Sequence, residues 1–178
     1  MIVEIIFETH ATSVDNEAGI ASGWGDPPLS GLGRQQAAEL GERHREDGIQ
    51  AVFCSDLKRA QETAEIAFGG RLSITVDPRL RECDYGVMTG SSATEISNER
   101  PQRIDVPFLE GESLRQVAAR VRACLDDLAP DSGQRILLVG HNATFMSLEH
   151  LLGGRALEEV AAAEFVWQAG WRYVLEDR

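Results

Sequence analysis

Apolar and polar residues come in short blocks along this chain, and the blocks switch between strand-like and helix-like spacing in a regular order. Ile2 to Phe7 is apolar and β-branched apart from Glu4, the pattern of a buried strand. A loop rich in Gly, Asp and Pro fills Ala11 to about Pro28. Ser30 stands at the N-cap position of a helix expected to run to about Asp47, with Ala37, Ala38 and Leu40 among polar residues and Gly48 ending it. Ala51 to Cys54 reads as a second strand, and Asp56 to Phe68 as a second helix closed by Gly69 and Gly70. Leu72 to Val76 alternates like a third strand and stops at Pro78.

The segment from Arg81 to about Leu109 is irregular, with a short helix expected near Ala93 to Glu99. Ser113 opens a helix to about Leu128 in which Leu114, Val117, Val121, Cys124 and Leu125 share one face. Arg135 to Val139 is a strongly apolar strand, followed by a helix over Thr144 to Leu152 that Gly153 and Gly154 end. Glu164–Gln168 and Trp171–Leu175, around Ala169 and Gly170, predict a terminal hairpin. Strands alternating with helices imply an α/β fold, a three-layer α/β/α sandwich around a mostly parallel sheet, with the hairpin as an antiparallel edge. The 178 residues fit a single domain over 1–178, with no internal repeat or linker.

Composition narrows the partners. A formal net charge of -12 argues against nucleic acid or an anionic membrane and repels any anionic substrate at long range, so a phosphate site needs its own local cations. Cys54, Cys83 and Cys124 are odd in number, far apart and in no metal-ligand spacing, as expected of reduced thiols in a cytoplasmic protein. The start MIVEIIFETH lacks the basic region of a signal peptide, and no run approaches the ~18 apolar residues of a membrane span. The terminal hairpin offers an edge through which a homodimer could pair.

Two histidines each follow a strand: His10 after Ile2–Phe7 and His141 after the apolar run to Val139 and Gly140. Both therefore fall at the carboxyl edge of the sheet, where ligands bind in open α/β folds. A neutral imidazole attacks phosphorus near pH 7 and yields a phosphohistidine that water later hydrolyses. Arg59, in the first turn of the helix after the second strand, supplies a donor fork for phosphate oxygens. Glu82, after the third strand, supplies a carboxyl that protonates a leaving oxygen and then activates water. His141 can neutralise phosphoryl oxygens as charge builds. No glycine-rich phosphate loop or paired metal-binding carboxylates occur, so no metal or cofactor is expected. Taken singly, His10, Arg59 and Glu82 read more readily as structural or solvated side chains, and it is their combination that points to phosphoryl chemistry. His44 and His150 read as surface or packing residues, Trp24 as pocket lining or a plug over the core, and Trp167 and Trp171 as packed inside.

In sequence order, these blocks resemble the histidine phosphatase superfamily, which includes the phosphoglycerate mutases. The family's Arg-His-Gly-Glu-Thr motif, with an Asn six residues beyond the His, is represented by Thr9-His10-Ala11-Thr12-Ser13 and Asn16. Gly23, Asp26, Pro28-Leu29-Ser30, Gly33 and Gln36-Ala37 match the next block, Ser55 to Ala64 the arginine block and Leu80 to Gly86 the acid/base block. Gly111-Glu112-Ser113 and Val139-Gly140-His141 complete a match over roughly residues 2–150.

The resemblance implies a phosphoglycerate mutase-like fold. It also implies His10 as nucleophile, Glu82 as acid/base, Arg59 and His141 as phosphoryl holders, and Thr9, Asn16, Ser22 and Gly23 near the substrate. Thr9 stands where the family has Arg. Losing that Arg removes charge-assisted hydrogen bonds worth roughly 1.5–3 kcal/mol each, unless Arg81 or Arg34 replaces it. Ala11, in place of the family's Gly, implies a loop tolerant of a Cβ.

A metal-independent phosphomonoesterase of small phosphorylated metabolites is the leading expectation. A catalytically weakened phosphoester-binding protein is the alternative from another class. A phosphoglycerate mutase-type phosphotransferase is disfavoured by the short interval, residues 83–140, between Glu82 and His141.

Overall fold

The computed structural model describes residues 2–128 and 133–176. Five strands form one sheet: β1 (Ile2–Thr9), β2 (Ala51–Cys54), β3 (Ile74–Val76), β4 (Arg135–Gly140) and β5 (Trp171–Glu176), in the order β3-β2-β4-β1-β5. The first four run parallel, and β5 pairs antiparallel with β1. Helices α1 (Val14–Glu17), α2 (Gly31–Arg43), α3 (Lys58–Phe68), α4 (Ala93–Glu99), α5 (Leu114–Leu128), α6 (Asn142–Leu151) and α7 (Leu157–Ala162) connect and cover them.

Strand alternation sorts the core into two layers, because successive side chains point to opposite faces. Val3, Ile5 and Phe7 of β1 and Ile136 and Leu138 of β4 pack with Val117, Val121 and Leu125 of α5 and Met146 and Leu148 of α6. Ile6, Leu137 and Val139 face the other way, against Leu40 of α2 and Ala60, Ala64 and Phe68 of α3. The fold is thus an α/β/α arrangement around a mostly parallel sheet.

Several boundaries differ from the expected ones. Strand β1 continues past Phe7 because Glu8 and Thr9 keep their pairing with Val139 and Gly140. Helix α2 begins where Ser30 accepts the Gly33 N–H, but it stops at Arg43 rather than near Asp47. There His44 leaves the helix axis to bind Glu8 and Asp47. The expected terminal hairpin does not form. Trp171–Glu176 pairs with β1 instead, burying Trp171, Tyr173 and Leu175, while 164–168 has no regular structure. The free edge of β1 offers a ladder over Ile2–Phe7, longer than the five residues of 164–168 could provide. Helix α7, absent from the sequence reading, buries Leu157, Val160 and Ala161.

Candidate active site

Register alone brings the two histidines together. Thr9 lies opposite Gly140, so the next residues, His10 and His141, leave adjacent parallel strands side by side. The His10 N–H donates to the Gly140 carbonyl at 2.9 Å, and the imidazole centroids are 5.0 Å apart. Strand β2 pairs with β4 through Cys54 and Val139, which puts Ser55 at the same edge. Its Oγ lies 2.6 Å from Nε2 of His141.

The His10 ring is oriented by its own loop. Nδ1 lies 2.7 Å from the Ala11 carbonyl, which can only accept, so Nδ1 carries the proton and Nε2 keeps its lone pair. Burial, reinforced by the Arg59 charge, lowers the His10 pKa to about 3 and keeps the ring neutral in ordinary buffers. His141 is fully buried and its pKa is also held well below the usual value, by burial first and then by Arg59 and His10. The Ser55 hydroxyl accepts from the Leu57 N–H and, in the tautomer that satisfies both groups, donates to Nε2 of His141. That tautomer places the remaining proton on Nδ1, a buried atom with no partner among the described residues.

Arg59, only 2 % exposed, enters from the first turn of α3. Its Nε approaches Nε2 of His10 at 3.3 Å, and its two terminal nitrogens donate to the Gly25 and Gly23 carbonyls at 2.8 Å each. Gly23 is needed at that turn: its φ is +49°, and a Cβ there would stand 2.9 Å from the Tyr85 ring. Ser22 donates to Asp15 and, like Gly23, does not line the groove in front of His10. Gly23 thus holds the arginine through its carbonyl, while Ser22 ties the loop to Asp15. Thr63 donates to the Arg59 carbonyl and accepts the Ala11 N–H, tying α3 to the His10 loop.

Glu82 reaches the same place from the segment after β3. Its Oε1 accepts N–H groups from Cys83 at 2.8 Å and from Ala143, in the first turn of α6, at 3.1 Å. Oε2 accepts nothing among the described residues. The Glu82 carbonyl is clamped by Trp24 Nε1 and by Arg120. Arg120 also donates to the Arg79 and Arg81 carbonyls and to both oxygens of Glu112. Sequence reasoning missed Ser55, Thr63 and Arg120 as supports, although Ser55 and Thr63 lie inside the arginine block and Glu112 inside a recognised one.

A groove of about 640 Å3 opens in front of His10. Thr9, Asn16 and Glu82 line it, and Asn16 also holds the loop by accepting from the Ser13 N–H and hydroxyl. Neither proposed substitute for an arginine at position 9 lines the groove: Arg81 is held by Asp56 through two bonds of 2.7 Å, and Arg34 is exposed beside Glu62. Among the described non-glycine residues only Glu110 has a positive φ, so Ala11 sits in ordinary backbone and packs on Leu29 and Ala37. Trp24 does not line the groove but stacks under Arg81, and Trp171 is buried as expected. Trp167, expected inside, is 55 % exposed on the groove wall.

Burial raises the Cys54 and Cys124 thiols to about 12 and pushes Cys83 up as well, which removes the cysteines as nucleophiles near neutral pH. Among the described residues no cluster of His, Cys, Asp and Glu could hold a metal ion, and no helix is long and apolar enough to cross a membrane.

Paired imidazoles, a buried guanidinium and a carboxyl at the carboxyl edge of a parallel sheet define the class of phosphatases and mutases built on histidine. The chain belongs to the histidine phosphatase superfamily (branch 1), whose model matches residues 5–172. It is 34% identical over 165 residues to a probable phosphoglycerate mutase GpmB of Yersinia enterocolitica, covering 85% of this chain and 76% of that one. It is 36% identical over 150 residues to the Salmonella paratyphi A protein of the same name, covering 79% and 70%. Among solved structures, YhfR of Bacillus stearothermophilus superposes with a TM-score of 0.82 at 27% identity, covering 98% of this chain and 91% of that one. A mycobacterial glucosyl-3-phosphoglycerate phosphatase complexed with VO3 gives 0.75 at 27% identity, covering 92% and 87%.

Proposed function

We propose that this protein is a metal-independent phosphomonoesterase working through a phosphohistidine on His10. The supporting observation is that His10, with Nε2 unprotonated and beside Arg59 and His141, lines the same groove as Glu82. On substrate binding, Arg59 Nε–H turns from the His10 lone pair to a phosphoryl oxygen, and Nδ1–H of His141 donates to another. The N–P bond forms as the P–O bond to the alcohol breaks, and protonated Glu82 gives its proton to the departing oxygen. Water then attacks phosphorus and passes a proton to the Glu82 carboxylate. Cleavage of the N–P bond releases phosphate and restores neutral His10.

His10→Ala is expected to abolish phosphate release from p-nitrophenyl phosphate while the circular dichroism spectrum stays native. Wild-type turnover is expected to survive EDTA. Undiminished turnover in the variant, or loss of wild-type activity with the chelator, would overturn the reading.

A mutase is the second reading, carried by the named relatives and by Arg100. The Nε of Arg100 is buried without a partner, and no carboxylate pairs with the side chain among the described residues. It lines a cavity of about 310 Å3 that meets the groove at Asn142 and Phe165, a place for a second anionic group such as a carboxylate. Bisphosphoglycerate-primed interconversion of 2- and 3-phosphoglycerate faster than phosphate release would favour the mutase.

A further inference from the structure

The groove before His10 is larger than a phosphoryl group needs, and its far end has a chemistry of its own. At about 640 Å3 it lies within the range of about 300–1,000 Å3 that accommodates a drug-sized ligand. One wall is a single face of α2, where Gln36, Leu40 and Arg43 stand at helical spacing. Gln36 accepts the Thr12 N–H beside the His10 loop, and Arg43 lies two turns on, about 10 Å along the axis. Phe165 and Trp167 form the opposite wall, with the Arg43 guanidinium 5.8 Å from the Trp167 ring.

Three observations define what this end would take. Trp167 is a large aromatic surface left 55 % exposed inside a groove that leads to the proposed nucleophile. The acidic residues lining the groove at this end are Glu39, which is exposed, and Glu8, which is fully buried and engaged by Arg43 and His44. Arg43 is the only Arg or Lys among the described residues lining the groove, and its Nη2 is committed to Glu8 at 2.9 Å. An aromatic face beside an exposed carboxylate, with the one lining cation paired to Glu8, selects a flat ring bearing N–H or O–H donors and no negative charge.

We infer that the leaving group is a ring-bearing alcohol whose heteroaromatic, nucleobase-like ring stacks on Trp167, with its donor groups turned to the exposed Glu39 carboxylate. This rests on the phosphatase reading and names its substrate class. A phosphoglycerate carboxylate would meet Glu39 at this end of the groove, and the mutase reading seats it in the Arg100 cavity instead.

The test compares adenosine 5′-monophosphate with ribose 5-phosphate, which share the ester and the sugar and differ in the ring. Wild-type kcat/KM is expected to favour the nucleotide by about tenfold or more, the scale of one stacked base. Trp167→Ala should collapse that ratio toward one, and Trp167→Phe should restore part of it. A wild-type ratio near one, a ratio unchanged in Trp167→Ala, or failure to hydrolyse either ester overturns the inference. Equal hydrolysis of both esters that His10→Ala abolishes would leave the phosphatase reading standing. Hydrolysis that survives in His10→Ala would remove that reading itself.

Discussion

At the scale of single residues, the site is defined by where each proton sits and which cation is free. His10 presents an unprotonated Nε2 because the Ala11 carbonyl claims the other nitrogen's proton. Arg59 beside it is anchored by two carbonyls, so only its Nε turns readily toward a ligand. Thr9 lines the groove without charge, and neither Arg34 nor Arg81, the latter paired with Asp56, lines it. Thr9→Arg is therefore expected to raise kcat/KM for p-nitrophenyl phosphate by about tenfold or more, since one transition-state donor is typically worth a hundred- to a thousandfold. No gain would mean the existing donors already saturate the phosphoryl oxygens. His10, Arg59 and His141 could be read from the sequence because each follows a strand or starts a helix at one sheet edge, and Glu82 because it stands in the family block after β3. Their supports could not: the Ser55 contact with His141 depends on a pairing between strands more than 80 residues apart. Trp167 was misplaced because aromatic character alone does not say whether a side chain faces the core or a groove.

At the scale of elements, the segment after β3 shows how a stretch without helix or strand can still be rigid. Arg120 of α5 donates to the carbonyls of Arg79, Arg81 and Glu82 and takes Glu112 bidentately, with side-chain exposures of 17% and 18% for the ion pair. Glu112 in turn accepts the Asp84 N–H. Removing one partner of such a half-buried pair leaves carbonyls and a carboxylate unsatisfied, at a cost of about 2–3 kcal/mol after allowance for solvent screening. Arg120→Ala is expected to lower stability by that amount in urea titration and to reduce kcat as the Glu82 loop loosens. Arg120→Lys should not rescue it, because one ammonium cannot span three carbonyls and a carboxylate. An unchanged urea midpoint would contradict this role. Helical periodicity and caps placed α2 through α6 to within a few residues. The hairpin failed because local alternation does not reveal that β1 presents a better partner than the neighbouring segment.

For the whole molecule, stability and chemistry are coupled through buried imidazoles of opposite tendency. The His10 pKa is lowered to about 3 and that of His141 well below 6.5, so both favour the folded state above pH 6.5 and oppose it as pH falls toward 3. His44 behaves in reverse. Burial works against its charge, but hydrogen bonds to Glu8 at 2.6 Å and Asp47 at 2.8 Å prevail and raise its pKa. Its contribution is complete below pH 6.5 and is lost as pH rises through the raised value. His44→Gln is expected to lower the urea midpoint more at pH 6 than at pH 9, and an equal drop at both would contradict this account.

The central claim concerns one covalent bond, and rapid quenching tests it most directly. Protein mixed with a labelled phosphate monoester and quenched in base should carry the phosphoryl group on His10, with none in His10→Ala. Label on any other residue, or full turnover with no phosphoenzyme and no dependence on His10, would contradict it.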